Sequence, residues 1–419
     1  MSIRTIFPLA FMLAAFPVAA DTMQQPFEFL TLEQAVNLAL ASDDPYLQQP
    51  GEMASSYEAR AVSEAQLPDP SVQLRFANWP TNSFSYTQEP MTQLQLGLRQ
   101  TFPKGDTLKL RRARRYDQAS GARHTGELRM REIILDTRLT WIDLHYNELA
   151  KLKVAESRQA VAELVEVIQA IYATGRQTSQ DILRAELELS LLDDRLVEID
   201  RMASVARAKL ARRIGKSAFT LQLPKGMPAL RHPSVLEAAI ASLSQHPAAK
   251  MSKSKVDVAD QDVRIAGEQY KPGWAVSVDY GARGGSRADF ASVGVTMDVP
   301  IFTDKRQDKQ LLAAKKARQA TRLSRDTVLL ELQKRLQVSR ADWDRLKERI
   351  SLYQSVVLVR AKDTSRAILS AYQSGVSDFP ELVRSRLGEL EAELKLLSLK
   401  SDRLKAQSHL LFFEGEDDA

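Results

Sequence analysis

The sequence predicts a mainly α-helical chain with a small transmembrane β part, built from two copies of one unit that runs helix, two strands, long helix, helix. Three observations carry this expectation. First, the stretch YATGRQTSQDILRAE at 172–186 is echoed at 372–386 by YQSGVSDFPELVRSR. Tyr172 answers Tyr372, Gly175 answers Gly375, Asp181 answers Glu381 and Arg184 answers Arg384, the self-similarity of a duplicated unit. Second, each half holds two short segments that alternate apolar and polar residues, the period of a strand. Third, long proline-free stretches carry apolar residues at alternating steps of three and four, the seam of a coiled coil.

Composition limits the alternatives. With 44% hydrophobic and 26% charged residues among 419, the chain is neither disordered nor a bundle of membrane helices. Residues 1–20 read as a secretory signal peptide: Arg4, an apolar run from Ile6 to Phe16, then Val18-Ala19-Ala20. A buried N-terminal helix is the alternative for this segment. No later stretch approaches the ~20 apolar residues of a spanning helix, so the mature chain is expected to leave the cytoplasm without a helical anchor. There is no cysteine, hence no disulfide. Basic residues gather between Arg99 and Arg138, including Arg111, Arg112, Arg114 and Arg115. A nucleic-acid patch has this composition, but an exported chain meets no cytoplasmic nucleic acid. These arginines are expected on a solvated or lumen-facing helix surface, with no nucleic acid as partner.

Each element follows in order. At TLEQAVNLALAS, Thr31 is an N-cap, and Leu32, Ala35, Leu38, Ala39 and Ser42 share one face. Val235–Ser244 is its counterpart, and Asp44-Pro45 and His246-Pro247 end the two stretches. Strands are expected at about 71–79 and 91–101. Val72, Leu74 and Phe76 alternate with Gln73, Arg75 and Ala77 in the first, and Leu94, Leu96 and Leu98 with Gln95, Gly97 and Arg99 in the second. A loop from Pro80 to Pro90 joins them. The second half repeats this at about 274–283 and 291–299, with a turn at Gly284-Gly285-Ser286.

These segments have the length of a tilted membrane strand, with Trp79, Phe102 and Trp274 near their ends. A half-exposed soluble sheet packed on helices gives the same alternation. The signal peptide favours the membrane. There every backbone group must be paired, so the sheet must close. Four strands fall short of the about eight in the smallest membrane barrels, so several copies would have to share one.

Between Pro103 and Pro224 there is no proline. Leu135, Leu139, Ile142, Tyr146 and Leu149, then Val161, Val165, Ile168 and Tyr172, form the expected seam of the first long helix. Leu346, Ile350, Tyr353 and Val357, then Thr364, Ala367 and Ala371, form that of the second. About 65 helical residues at 1.5 Å each span roughly 100 Å, the length of a strut or a tube wall. Hairpin tips are expected at 172–181 and 372–381, with Asp378 able to cap the last helix and Pro380 in its first turn. The domain plan is a signal peptide (1–20), repeat 1 (21–223), a linker (224–233), repeat 2 (234–415) and an acidic tail (416–419).

Chemistry is sought and not found. Gly215-Lys216-Ser217 resembles the end of a phosphate loop, but the required earlier glycine is Leu210. Gly215 therefore reads as the end of a helix. His124, His145, His232, His246 and His409 form no metal-binding pair. Asp193-Asp194 and Asp417-Asp418 lack a nucleophile or base nearby in sequence. No catalytic residue, metal or cofactor is expected.

The order and duplication of these elements, with the LxxAxxxA starts, the Pro300-Ile301-Phe302 exit, the Tyr-x-x-Gly tips and the helix-ending Gly215, resemble the TolC-like outer membrane factor family over nearly the whole mature chain. The resemblance implies a homotrimer with a 12-stranded outer-membrane β-barrel continued by a long periplasmic α-helical barrel. It would be a passive channel, docked at its tips by a periplasmic adaptor and joined to an inner-membrane pump of the RND type. Tyr172, Gly175, Thr178, Asp181, Tyr372, Gly375 and Asp378 would then form the docking tip, and Glu381 and Arg384 the pore constriction. The family's constriction often carries acids, so Arg384 departs from its pattern, and a Glu381–Arg384 ion pair could latch the tip. LPDP and the segment from Asn78 to Asp106 resemble the branch that serves heavy-metal efflux, for copper or for cobalt, zinc and cadmium. The alternatives are a drug or small-molecule export channel of the same fold, or a periplasmic coiled-coil structural or adaptor protein.

Overall fold

The computed structural model describes residues 29–172 and 179–415. The signal peptide at 1–20, Gly175 and Thr178 of the first tip, and the tail at 416–419 lie outside the described residues.

Helix α1 (Leu32–Leu40) opens with a reciprocal cap. Thr31 Oγ1 accepts from the Gln34 N–H at 3.2 Å, and Gln34 Oε1 accepts from the Thr31 N–H at 2.9 Å, which satisfies two otherwise orphaned donors. Its buried residues are Leu32, Ala35, Val36 and Ala39. Helix α2 (Pro45–Ser63) starts at Asp44, whose carboxylate accepts from the Tyr46 N–H at 3.0 Å. His246 caps a later helix in the same way. Both X-Pro pairs therefore begin a helix as well as ending the preceding one, because proline is free of penalty in a first turn.

Strands β1 (Ser71–Ala77) and β2 (Gln93–Phe102) follow, then α3 (Thr107–Tyr172), α4 (Ser179–Ile214) and the single turn α5 (Ser217–Thr220). Gly215 ends α4 with φ of +64°, the left-handed conformation that glycine adopts without strain. The second half runs α6 (Leu236–Ser242), α7 (Pro247–Glu268), β3 (Gly273–Arg283), β4 (Phe290–Asp298), α8 (Gln307–Leu352), α9 (Leu358–Gln373) and α10 (Phe379–Glu414). Helix α3 holds 66 residues, about 100 Å at 1.5 Å per residue.

Between α8 and α9 lies a π turn, Tyr353–Val357, which corrects the expected seam. A π turn inserts one residue into the helical repeat and rotates everything beyond it. The inward residues of α9 are Ser365, Ile368, Leu369 and Tyr372, while Thr364 and Ala367 are exposed. In α3 the expected seam is only part of the buried surface. Ile133, Trp141 and Leu144 are also fully buried, because α1, α4 and α10 all pack on this stretch.

Three apolar clusters hold the helices together. One joins Leu30, Trp141, Leu144 and Leu210, a second joins Val154, Val161 and Ile168 to Leu382 and Leu390, and a third joins Leu336 and Trp343 to Leu410 and Phe413. The arginines expected on a solvated or lumen-facing surface are partly cross-links. Arg114 pairs with Asp262 at 3.0 Å and Arg115 with Glu64 at 2.5 Å, while Arg111 and Arg112 stay exposed.

Asp44 forms the most buried of these links. Its side chain is 2% exposed and takes Arg212 at 2.9 Å and Arg213 at 3.1 Å. The Arg212 guanidinium foremost, then the Tyr46 N–H, hold its carboxyl at about 2. A depressed acid contributes stability above its unfolded value of about 3.9 and loses it as pH falls through the folded value. Asp44→Asn keeps the helix cap but removes the charge. We expect it to lose about 1.5–3 kcal/mol at neutral pH, the range for hydrogen bonds to charged groups. Thermal melts should show the gap to the parent narrowing as pH falls from about 4 toward about 2.

Candidate functional site

The sheet is antiparallel in the order β1-β2-β3-β4. In an antiparallel pair, residues directly opposite each other point to the same face. The register therefore sorts the side chains without ambiguity. Val72 faces Leu98, which faces Val278, which faces Val293. The rows Leu74–Leu96–Tyr280–Ala291 and Phe102–Trp274–Met297 lie on that same face. The other face carries Gln73–Gly97–Asp279–Ser292 and Arg75–Gln95–Gly281.

The apolar face is bare: Val72 is 71% exposed and Val293 75%. Among the described residues no helix packs across the sheet, whose packing is strand on strand. A soluble sheet packed on helices would bury its apolar face, whereas this face is left bare by the described helices. Strands of 10 residues such as β2 are about 33 Å long. Tilted by about 45°, they rise about 23 Å, close to the ~25 Å apolar band of an outer-membrane barrel.

Aromatic rings mark both ends of the strands. At one end Phe102 stacks on Trp274, centroids 4.0 Å apart. At the other, Trp79 packs edge-on against Phe76 at 5.1 Å and tilted against Tyr86 at 6.2 Å. Sequence reading found Trp79, Phe102 and Trp274 but missed Tyr86, which sits inside a loop. Its hydroxyl donates to Ala282 O at 2.6 Å, pinning the 80–92 loop across the end of β3. Asn78 closes the neck of that loop: its Nδ2 donates to Met91 O, and its own carbonyl accepts from Thr92 Oγ1.

The second tip is built from the residues singled out in the sequence. Helix α9 ends at Gln373, and Gly375 turns the chain with φ of +74°. The Val376 N–H then reaches back to Ala371 O at 2.9 Å. Asp378 caps α10 by accepting from the Glu381 N–H at 2.9 Å. Tyr372 packs edge-on against Phe379, centroids 6.0 Å apart, and Phe379 is buried above Leu382 and Val383. Sequence reading passed over Phe379. Its signal was an apolar residue directly after a capping aspartate, followed by Leu382 and Val383.

The expected Glu381–Arg384 ion pair does not form. The Glu381 carboxylate accepts from Ser377 Oγ at 2.8 Å, a partner presented by the same helix cap, while Arg384 is exposed. Tyr172 is exposed at the end of α3, and Asp181 lies in the first turn of α4. The starts of α4 and α10 come together around a groove of about 350 Å³ lined by Arg184, Leu187, Phe379, Val383 and Arg384. Among the described residues no group of three or more His, Asp or Glu side chains is gathered for a metal, and no helix is long and apolar enough to cross a membrane.

Residues 240–416 match the family model described as outer membrane efflux protein. No curated sequence matches the chain. Among solved structures, the chain resembles the outer membrane protein VceC of Vibrio cholerae at 17% identity with a TM-score of 0.77, covering 92% of this chain and 97% of that one. A membrane protein of Pseudomonas aeruginosa aligns at 14% identity and a TM-score of 0.79, with 93% and 91% covered. CusC, described for its conformational changes on folding and transmembrane channel formation, aligns at 14% and 0.77, with 97% and 99% covered. The chain has the fold of these proteins.

Proposed function

We propose that the protein is the passive outer-membrane channel of a tripartite efflux system, a homotrimer whose three four-stranded sheets close one 12-stranded barrel. The observation that carries this reading is the two-faced sheet, apolar and bare outside, polar inside. Its outer edges, on β1 and β4, are unpaired within the described chain. Open edges are untenable in lipid, and four strands are too few to close, so further copies must supply the partners. The long helices then continue the barrel as a periplasmic tube. Exposed Leu183, Leu187 and Leu191 form a stripe along α4 that suits packing between copies.

In this reading the element order, which occurs once in 21–223 and again in 234–415 around a 224–233 joint, reflects a duplication. Tyr172, Gly175, Thr178, Asp181, Tyr372, Gly375 and Asp378 form the end that docks a periplasmic adaptor, which in turn joins an inner-membrane pump of the RND type. Glu381 and Arg384 stand at the constriction. The chain's own residues supply no energy source, so the pump does the work. Heavy-metal cations such as copper, or cobalt, zinc and cadmium, are the substrates we favour, on the LPDP and 78–106 segments of the sequence. Deleting the gene should sensitise cells to these salts, and restoring it should reverse the effect. Sensitivity to drugs with unchanged metal tolerance would instead assign the channel to small-molecule export.

A further inference from the structure

The two exits from the sheet are built alike and covered differently. β2 leaves through Phe102-Pro103 and β4 through Val299-Pro300, while β1 and β3 are entered through Pro70-Ser71 and Pro272-Gly273. Aligning these prolines sets Lys104, Gly105 and Asp106 against Ile301, Phe302 and Thr303, and sets 268–273 against 66–71. Within the chain the first exit is tied to the entrance of the next strand. Phe102 stacks on Trp274. The Asp106 N–H donates to Glu268 Oε2 at 2.7 Å, and a Cβ on Gly105 would run into that carboxylate and into Lys271.

The second exit has no next strand to rest on in its own chain, because β4 is an outer edge of the sheet. Its apolar residues stand clear of the surface, with Ile301 72% and Phe302 87% exposed. The entrance to the other outer edge, β1, is uncovered too, and Leu67 there is 47% exposed. Three antiparallel pairings bring the start of β1 and the end of β4 to the same end of the sheet. Leu67 lies four residues before Ser71 and Phe302 four after Asp298, so the two exposed groups sit just beyond that end, one at each open edge. A closed ring of identical chains joins unlike edges, β4 of one copy to β1 of the next. The side chains change in step on both sides. Gly105 meets the charged Glu268, whereas the aligned Phe302 falls opposite Gln66 and Leu67, an apolar ring with an apolar neighbour.

We propose that Ile301 and Phe302 of one copy pack on the β1 entrance of the next copy, against Leu67, repeating between chains the contact that 104–106 makes on 268–273 within a chain. The proposal rests on the shared-barrel reading and adds the contact that fastens its seams at the end next to the helices. Because the chain has no cysteine, introduced pairs report on it cleanly. Leu67→Cys and Phe302→Cys chains, carrying different tags, are expressed together and mildly oxidised in outer membranes. A disulfide needs Cα atoms within about 7 Å. A product joining one chain of each kind should exceed the cross-linking of either variant alone at least tenfold, and a chain carrying both substitutions should link into rings of three. Ile301→Cys in place of Phe302→Cys repeats the test with the aromatic ring intact. Native mass on the same extracts separates the ways of failing. Trimers without the mixed product from either pair would overturn this contact, leaving Phe302 to lipid or water and the shared barrel standing. A parent chain that forms no trimer would overturn both.

Discussion

Val278→Arg will keep the chain out of the membrane. Val278 lies in the middle of β3, flanked on the apolar face by Leu98 and Val293 and half exposed. An arginine facing lipid at the midplane of a barrel costs about 2–4 kcal/mol, and a shared barrel carries the penalty in every copy. The amount of detergent-extractable protein in the outer-membrane fraction should fall at least tenfold. Ser292→Arg is the control, because Ser292 lies on the polar face opposite Asp279, where opposite charges stabilise a strand pair. It should assemble like the parent. If the apolar face were solvated, Val278→Arg would be as harmless as Ser292→Arg.

The largest loss of folding stability is expected from Trp141→Ala. Trp141 is fully buried, stacks on His145 with centroids 4.8 Å apart, and donates from Nε1 to Leu30 O at 2.9 Å. His145 Nε2 in turn lies 2.9 Å from Pro224 O, so this pair ties α3 both to the segment before α1 and to the joint. Truncation leaves a cavity and a weakened anchor, and should cost about 3–5 kcal/mol. Trp141→Phe keeps most of the ring volume but loses the N–H, and should cost clearly less. Denaturant unfolding followed by helical signal would rank the two, and equal losses would show that the hydrogen bond, not the packing, holds the site.

What the sequence disclosed, and what it hid, follows from the range of each interaction. The second tip was legible because its determinants are local: Gly375 for a left-handed turn, Asp378 for a cap, Pro380 for a first turn. The strands were legible because their period is two. Whether helices cover their apolar face was not, since a covered sheet and a bare one alternate identically. The π turn at Tyr353–Val357 has no composition of its own, and one inserted residue moved the seam from Ala367 to Ile368. Asp44 meets Arg212 and Arg213 across more than 160 positions, a pairing that no local pattern announces. At Glu381 the helical spacing favoured Arg384, yet the cap supplied Ser377 first.

The central claim is that one sheet, open in each chain, closes only by sharing a barrel. Native mass measurement on the detergent extract of outer membranes tests it most directly. The account predicts a detergent-dependent assembly of three chains, with no monomer in the membrane fraction. A monomer soluble in the periplasm without detergent would contradict it, and the bare apolar face of the sheet would then have to be covered by another protein.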